Sequence, residues 1–361
     1  MPKFFRFQFG NCSSSVIIQK KLPRLEELYT LAGDTFEGNC LAVCDDHTLP
    51  LVRRMDGAVP VVALPPGESS KGWAAVETIL RAAGKQGLGR DGLFIGAGGG
   101  VVCDLTAFAA SVYMRGAALV LLPTTLLSMV DASIGGKTGF DLEGIKNLAG
   151  TFYPARGIVI AADFLKTLPE REWKSGMAEL IKTAVLDGDS GFFDRLKKLP
   201  REAKGPGSFV PFIEEAVRIK GRIVERDPRE TGTERVLLNL GHTFGHALET
   251  SLGLGTISHG EAVAWGMARS CELGTELGLT PPEWGEAVLG VLHVRGYETG
   301  VPFPLPLDPR LFRSALFSDK KKKNGTLRFV VPGAEGARLA GWNAQVETYL
   351  EKLISKISLS S

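Results

Sequence analysis

Short apolar runs alternate with longer amphipathic stretches through the first half of the chain. The runs at 41–44, 61–64, 93–95 and 118–122 have the length and continuous apolar character of strands that are buried on both faces. The stretches between them are long enough for helices, and this alternation is typical of βαβ units around a largely parallel sheet. We therefore predict a Rossmann-like α/β domain over residues 1–167.

The periodicity changes after about residue 168. Apolar residues then recur at helical spacing in five stretches: 170–186, 212–224, 243–252, 261–277 and 346–357. A chain of 361 residues is also long for a single hydrophobic core. We predict a second, all-α domain over residues 168–361.

Composition and charge exclude several classes of protein. Hydrophobic residues make up 44% of the chain and charged residues 23%, which is ordinary for a globular protein. A formal net charge of +2 gives no reason to expect a nucleic acid or an anionic membrane as partner. Five scattered cysteines without a CxxC pair favour a reducing compartment, and no segment reaches the ~20 apolar residues of a membrane span. We expect a soluble cytoplasmic protein.

A glycine cluster at 96–100 follows the predicted strand 93–95 and precedes a predicted helix that carries Asp104. Glycines at such a turn let the backbone approach a pyrophosphate, whose charge a helix N-terminus favours. The cluster departs from the GxGxxG pattern, because Val101 stands where the third glycine would be. The segment fits either a dinucleotide-binding loop or a tight structural turn.

A second glycine-rich segment at 135–139 follows the predicted strand 118–122, and it contains Lys137. Ligands of open α/β sheets gather at the carboxyl ends of the strands, where such loops lie. Lys137 is therefore either a phosphate ligand or a solvated surface lysine.

Three of the five histidines, His242, His246 and His259, fall within 18 residues. His242 and His246 are four residues apart and share one face if the segment is helical. Glycines beside each histidine would leave room for a ligand or an ion. Two imidazoles and a carboxylate with an open position are typical of catalytic zinc, but histidines packed in a core would give the same spacing.

Glu179 is the candidate carboxylate for such a site. It lies in an otherwise apolar helical turn, where an unpaired charge would be costly. Either a metal ion or a salt bridge to Lys182 or another base would offset that cost.

Taken together, the ordered motifs between about residues 43 and 332 resemble those of the 3-dehydroquinate synthase family. They are Pro66-Gly67-Glu68 with Lys71, Gly98-Gly99-Gly100-Val101 with Asp104, Tyr113-Met114-Arg115-Gly116, Pro123-Thr124-Thr125-Leu126-Leu127 with Asp131, Gly135-Gly136-Lys137-Thr138-Gly139, Lys146-Asn147, Ala178-Glu179-Leu180-Ile181-Lys182, Leu238-Asn239-Leu240-Gly241-His242-Thr243-Phe244-Gly245-His246, His259-Gly260-Glu261-Ala262-Val263 and Asp319-Lys320-Lys321.

The resemblance implies a phosphorus–oxygen lyase of the shikimate route to chorismate and the aromatic amino acids. Its substrate would be 3-deoxy-D-arabino-heptulosonate 7-phosphate, and its products 3-dehydroquinate and inorganic phosphate. The C5 hydroxyl is oxidised transiently by NAD, phosphate is eliminated, C5 is reduced again, and an intramolecular aldol reaction closes the ring. The implied cofactors are NAD and Zn²⁺ or Co²⁺.

The resemblance also implies residue roles. The metal ligands would be Glu179, His242 and His259. The NAD-binding residues would be Asp45, Glu68, Lys71, Gly99, Gly100, Val101, Asp104, Thr124, Thr125, Asp131, Lys137 and Lys146. The catalytic and substrate-binding residues would be His246, Lys137, Lys182, Asn239, Arg235, Arg115, Asn147, Lys320 and Lys321.

Three of these residues have more specific implied roles. Arg235 would pair with the substrate carboxylate, and His246 would relay a proton at C5 or contact the phosphate. Arg115 would reach the site of a neighbouring subunit, which implies a homodimer.

The chain departs from the family pattern at two places. Cys103 and Ala107 stand where the family usually has glycine, so packing around NAD is expected to differ. The stretch from Lys220 to Arg235 is one residue longer than usual, which leaves the role of Lys220 open.

Two rival enzyme classes remain, together with a catalytically silent metal- or nucleotide-binding protein that retains the fold. Other sugar-phosphate cyclases that act on substrates without a carboxylate need no Arg235. Metal-dependent polyol and glycerol dehydrogenases share the two-domain plan, but they would release NADH.

Overall fold

The computed structural model describes residues 2–33, 38–188, 190–201, 203, 205–253, 255–301, 303–322 and 327–358; within these, the side chains at 190, 206 and 318–322 are not described. The chain folds into two compact units, with residues 1–169 and 204–231 in unit 1 and residues 170–203 and 232–361 in unit 2.

Unit 1 is built on a sheet with helices packed against it. Its strands are β1 (Lys3–Phe9), β2 (Cys12–Gln19), β3 (Cys40–Asp45), β4 (Val61–Leu64), β5 (Leu93–Gly98), β6 (Ala118–Pro123), β7 (Lys137–Leu142), β8 (Ile145–Phe152) and β9 (Gly157–Ala161). Its helices are α1 (Leu25–Ala32), α2 (Leu49–Met55), α3 (Trp73–Lys85), α4 (Gly100–Val112) and α7 (Pro206–Arg226). The four predicted buried strands are confirmed as β3 to β6.

Seven strands form the main sheet in the order β1-β2-β9-β6-β5-β3-β4. Every neighbouring pair is parallel except β1 and β2. From β3 the chain moves outward to β4 and then returns to the other side of β3 as β5. The strand order therefore reverses between β3 and β5, and such a switch point is where open α/β sheets bind ligands.

The second glycine-rich segment differs from the predicted loop. Lys137 begins strand β7, which pairs with β8 in a separate antiparallel hairpin that packs against α4. Gly139 and Gly150 face each other across this pair, where a Cβ on either would meet backbone atoms of the other strand. These glycines are explained by the close approach of two strands.

Unit 2 is mainly helical. Its elements are α5 (Glu170–Asp187), α6 (Ser190–Lys198), α8 (His242–Leu252), α9 (His259–Glu276), α10 (Pro282–Val294), α11 (Pro309–Lys322), β10 (Arg328–Gly333), β11 (Gly336–Gly341) and α12 (Ala344–Ser358). The helices predicted at 170–186, 243–252, 261–277 and 346–357 are confirmed as α5, α8, α9 and α12.

The prediction that the second domain is all-α is wrong in one respect, because β10 and β11 form an antiparallel hairpin. Phe329, Val330 and Val331 of β10 are buried, and Phe329 and Val331 belong to the core that includes α8 and α12. The apolar run is only three residues long, and its turn lacks the Asn-Gly or Asp-Gly sequence that favours a hairpin. The pattern therefore did not distinguish it from the helices around it.

The predicted single boundary at 167/168 also needs correction. Helix α7 is amphipathic like the helices of unit 2, but it belongs to unit 1 and packs against β1. Gly221 lies so close to Phe7 that a Cβ would come within 2.2 Å of the ring. Helical periodicity shows that a helix has a buried face, but it does not show which core buries that face.

In the described part of the chain, no helix combines the length and apolar character needed to cross a membrane. All five cysteines lie in this part, and all are free thiols.

Candidate active site

One group of candidate residues in unit 1 lies at the carboxyl edge of the main sheet. Asp45 ends β3, Glu68 and Lys71 follow β4, and Gly99 and Thr124 directly follow the neighbouring strands β5 and β6. The amide of Thr124 donates to the carbonyl of Gly98 at 2.9 Å, which holds the two turns side by side. This edge includes the switch point, so the fold brings these predicted residues to the place where a nucleotide is expected.

The first glycine-rich turn has little room for side chains. A Cβ on Gly98 would meet the side chain of Val102 at 2.6 Å, and one on Gly99 would meet Thr125 at 3.1 Å. Helix α4 begins directly after Gly99, so the first backbone amides of the helix are available to an anion. The turn is thus both a tight packing turn and a suitable pyrophosphate site.

Lys71 joins two predicted groups in unit 1. Its Nζ lies 2.6 Å from Oδ2 of Asp104 and donates to Oδ1 of Asn147 at 2.7 Å. Burial lowers the pKa of Lys71, but the charges of Asp104 and Glu68 outweigh burial and raise it, so the amine stays protonated. Asn147 was expected with the substrate residues, whereas the structure places it with two residues that were expected to bind NAD.

Other predicted residues of unit 1 form ion pairs. Lys220 reaches both Oδ1 of Asp131 at 2.8 Å and the carbonyl of the same residue at 2.6 Å. Lys137 pairs with Glu230, a carboxylate that sequence reasoning did not select. The position of Glu230 in the sequence did not indicate this contact, because only the folding of residues 204–231 into unit 1 brings Glu230 to Lys137.

Lys146 lies 3.9 Å from Glu68, at the limit of an ion pair. Asp45 accepts hydrogen bonds from the backbone and hydroxyl of Thr48.

The predicted site residue Arg115 lies in an unusual stretch of backbone. Arg115 is exposed after α4 with φ +70°, next to Met114 with φ +48°. Non-glycine residues in this region of backbone conformation cost about 1–3 kcal/mol each and cluster at functional sites.

Cys103 and Ala107, which stand where the family usually has glycine, are buried in α4 and line a small cavity with Asp104.

The three predicted metal ligands come together in unit 2. Glu179 lies in the middle of α5 and is fully buried, whereas His242 and His259 are the first residues of α8 and α9. Oε1 of Glu179 lies 3.7 Å from Nε2 of His242 and 3.6 Å from Nε2 of His259. One carboxylate oxygen therefore faces both imidazoles.

These separations fit a metal ion. Two ligand atoms that are each about 2.1 Å from a tetrahedral zinc ion lie roughly 3.4 Å apart. All three ligand atoms lie within 4.8 Å of one another. Glu179, His242 and His259 could thus hold one divalent ion, with a further position open.

The structure is compatible with both arrangements that the sequence left open for Glu179, a salt bridge to Lys182 and a metal site. Its Oε2 lies 2.6 Å from Nζ of Lys182, one turn along α5, while its Oε1 faces the histidines. Lys182 is itself only 1% exposed. The salt bridge and the candidate metal site therefore use different oxygens of one carboxylate.

The two histidine ligands differ in charge. Burial and the positive charge of Lys182 lower the pKa of His242 to about 3, so its ring is neutral. Burial also acts to lower the pKa of His259, but the adjacent carboxylates of Glu179 and Glu249 outweigh burial and raise it to about 9. A metal ion at Nε2 of His259 would displace a proton.

The glycines beside the histidines serve a different purpose from the one predicted. A Cβ on Gly245 would meet the carbonyl oxygen of Ala262 at 2.8 Å, and one on Gly260 would meet Cα of Ser175 at 2.4 Å. Backbone, rather than a ligand, fills this space. The glycines allow α5, α8 and α9 to approach closely enough for their ligands to meet.

His246 is exposed on the same face of α8 as His242, and their ring centroids are 5.4 Å apart. Arg235 is 1% exposed in a 3-10 turn that also contains Asn239. Lys320 and Lys321 fall in α11, but their side chains lie outside the described residues.

The chain shares its fold with the sugar-phosphate cyclases. A 2-epi-5-epi-valiolone synthase from Streptomyces hygroscopicus subsp. jinggangensis 5008, solved with NAD⁺ and Zn²⁺, is 27% identical, with a TM-score of 0.82 over 98% of this chain and 99% of its own. A 2-deoxy-scyllo-inosose synthase, solved with carbaglucose-6-phosphate, NAD⁺ and Co²⁺, is 24% identical, with a TM-score of 0.83 over the same shares.

Within this class, the chain belongs to the 3-dehydroquinate synthase family. The N-terminal family model of 3-dehydroquinate synthase matches residues 61–175, and the C-terminal model matches residues 176–322. A 3-dehydroquinate synthase from Xylella fastidiosa (strain M12) is 42% identical over 293 residues, which cover 79% of this chain and 78% of that relative.

Proposed function

We propose that the chain converts 3-deoxy-D-arabino-heptulosonate 7-phosphate into 3-dehydroquinate and inorganic phosphate. Family membership supports the reaction. The observation that carries the proposal at the level of residues is the placement of Glu179 Oε1 between the Nε2 atoms of His242 and His259. These three residues would hold a divalent cation, Zn²⁺ or Co²⁺.

When bound, the cation would supply Lewis acidity to the substrate hydroxyls. The chain supports it through Lys182, whose ammonium group holds Oε2 of Glu179 and leaves Oε1 facing the histidines. His246 would exchange a proton with the substrate at C5, because it is exposed beside His242 and is not needed as a ligand.

Recognition of the substrate would depend on charge. Arg235 would bind the carboxylate with its planar guanidinium group. Asn239, Asn147, Lys137, Lys182, Lys320 and Lys321 would bind the phosphate and the remaining polar groups. Because the rival cyclases that act on substrates without a carboxylate need no arginine at this position, Arg235 favours the carboxylated substrate.

Unit 1 would bind NAD, which when bound accepts a hydride from C5 and returns it later in the cycle. The pyrophosphate would lie against the amides of Gly99, Gly100 and Val101 at the start of α4. Asp45 lies at the end of β3, across the switch point, where an acidic residue can bind a ribose hydroxyl. The other residues of this group are Glu68, Lys71, Asp104, Thr124, Thr125, Asp131, Lys137 and Lys146.

We also propose that the chain forms a homodimer through an apolar patch on unit 1. Eleven large apolar side chains are exposed among the described residues. Six of them lie on the β7–β8 hairpin, at the end of α4 or in the turn that follows α4: Val112, Met114, Leu142, Ile145, Leu148 and Phe152. Apolar surface concentrated in this way is typical of a protein interface. The unusual backbone at Arg115 lies beside this patch and would aim its side chain at a neighbouring subunit.

One assay tests the reaction. The purified protein is incubated with the heptulosonate phosphate, NAD and zinc, and both phosphate and NADH are followed. Release of phosphate with no net NADH supports the synthase, and recovery of 3-dehydroquinate distinguishes it from other cyclases. NADH formed in equal amount to product would instead support a polyol dehydrogenase, and no turnover at all would contradict both.

A further inference from the structure

A second carboxylate, Glu249, faces the other side of the His259 ring. Glu249 lies on α8, seven residues after His242, and is only 4% exposed. Its Oε2 is 3.5 Å from Nδ1 of His259, while Nε2 of the same ring is 3.6 Å from Glu179. The imidazole therefore lies between two buried carboxylates, only one of which belongs to the proposed metal site.

The proposed metal site places a requirement on Nδ1. An imidazole that gives the lone pair of Nε2 to a metal ion carries its proton on Nδ1, and that N–H group needs an acceptor. The acceptor also fixes the plane of the ring, and a charged acceptor makes the ligand more basic. Glu249 is positioned to act in this way.

The other histidine ligand has a different acceptor. Nδ1 of His242 lies 3.2 Å from the carbonyl oxygen of Leu240, which the left-handed turn at Gly241 brings back towards the ring. A backbone carbonyl is supplied by the fold itself and carries no net charge. His259 begins α9 after an extended residue, Ser258, and has a side-chain carboxylate at its Nδ1 instead.

A buried carboxylate at position 249 is costly unless it is paired. The preceding residues, Ala247 and Leu248, are buried in the core of unit 2, where an alanine or a leucine would pack without a desolvation penalty. The geometry places the Nδ1 atom of His259 within reach as a partner for this carboxylate.

We propose that Glu249 is a positioning residue for the metal ligand His259. Its carboxylate accepts the hydrogen bond from Nδ1, which fixes the ring orientation and leaves the lone pair of Nε2 for the ion. The inference rests on the proposed function, because it presupposes the metal site at Glu179.

A second candidate metal site shares Glu249 and His259 and would give a different experimental result. His246, Glu249 and His259 also have ligand atoms within 4.8 Å of one another and could form a second metal site. That site would take Nδ1 of His259 as a ligand, so it would exclude the hydrogen bond to Glu249. The number of ions bound per chain separates the two uses.

The test compares Glu249→Gln, Glu249→Ala and wild type after the metal has been stripped with a chelator. Zinc affinity is measured by competition with a chromophoric chelator, and Co²⁺-loaded protein is examined by visible absorption. We expect Glu249→Ala to bind zinc about 10–100-fold more weakly, as loss of an outer-shell partner usually does. Glu249→Gln should lose less, because its amide oxygen still accepts a hydrogen bond but carries no charge. Both should change the cobalt spectrum.

Glu276→Gln is the matched control, because Glu276 is an exposed carboxylate at the far end of the same helix as His259. It should bind zinc as wild type does. If neither Glu249→Ala, which removes the acceptor, nor Glu249→Gln differs from wild type in affinity and spectrum, the inference is wrong. Two zinc ions per wild-type chain, with one lost on Glu249→Gln, would also overturn it. Failure of wild type to bind zinc would instead contradict the proposed metal site.

Discussion

At the scale of single residues, the candidate site depends on how one carboxylate is shared. Glu179 is buried, and a buried carboxylate is costly unless it is paired. Lys182 on the same helix pairs with Oε2, which orients Oε1 towards His242 and His259. The ligand is therefore held in place by the protein before any ion binds.

The residue with the simplest expected effect is His242. We expect His242→Ala to lose bound metal and turnover together, because two remaining ligands hold zinc poorly. The loss of affinity should exceed the roughly 10–100-fold that removal of an outer-shell partner costs. Metal content after gel filtration and the rate of phosphate release are the measurements.

His293→Ala is a suitable control for this substitution. The Nε2 atom of His293 is hydrogen-bonded to the hydroxyl of Thr299, and His293 belongs to neither candidate metal cluster among the described residues. It should keep its metal. Full metal content in His242→Ala would remove His242 from the site.

The sequence could select these candidate ligands because chemistry and motif order agree on them. Three histidines and a carboxylate in an apolar turn indicated a metal site without deciding it, and the resemblance selected the ligands. The sequence could not assign Glu249 or Glu230. The contacts of Glu249 with His259 and of Glu230 with Lys137 depend on helix packing and on the path of the chain, which spacing does not reveal.

At the scale of elements, the packing of α8 against α9 determines where the histidines lie. A Cβ on Gly266 of α9 would come within 1.9 Å of the carbonyl oxygen of Gly241, directly before His242. Backbone cannot yield as a flexible side chain can, so the helices would have to move apart. The glycine thus controls the distance between two of the proposed metal ligands.

We therefore expect Gly266→Ala to destabilise the protein by about 1–3 kcal/mol, as overpacking usually does, and to weaken zinc binding. Thermal unfolding and zinc titration measure the two effects. Gly290→Ala is the matched control, because Gly290 lies in the helix α10 with open space at its Cβ position. That change should stabilise by roughly 0.5–1 kcal/mol. A Gly266→Ala protein as stable as wild type would contradict the proposed role of this packing.

Elements with a strong period could be predicted, and those without one could not. The strands β3 to β6 are continuous apolar runs, and α5, α8, α9 and α12 have a clear helical period. The β7–β8 hairpin has neither signal, since the burial of its residues is irregular and glycines interrupt both strands. Its glycine content suggested a loop, whereas the glycines permit close strand pairing.

At the scale of the whole molecule, the apolar patch makes a prediction about assembly. Leu148 is 47% exposed on β8 and belongs to this patch. We expect Leu148→Glu to convert a dimer into a monomer or to weaken it strongly, because an interface would have to bury the new charge. Sedimentation velocity over a range of protein concentrations is the measurement.

Leu311→Glu provides the comparison, because Leu311 is 49% exposed in α11 and lies outside the patch. It should leave the assembly state unchanged. If the wild type is a monomer at all concentrations, or if Leu148→Glu dimerises as well as wild type, the patch is not the interface.

The division of unit 1 into two chain segments affects how it can form during synthesis. The apolar face of α7 completes a core whose other elements end by residue 169. At about 5–20 residues per second, the roughly 60 residues from 170 to 231 take the ribosome roughly 3–12 s. During that interval the nascent unit 1 exposes the surface that α7 will cover. Because the chain is made from its N-terminus, unit 1 cannot be completed until the first segment of unit 2 has been synthesised. A fragment that stops at residue 169 would expose the same surface permanently.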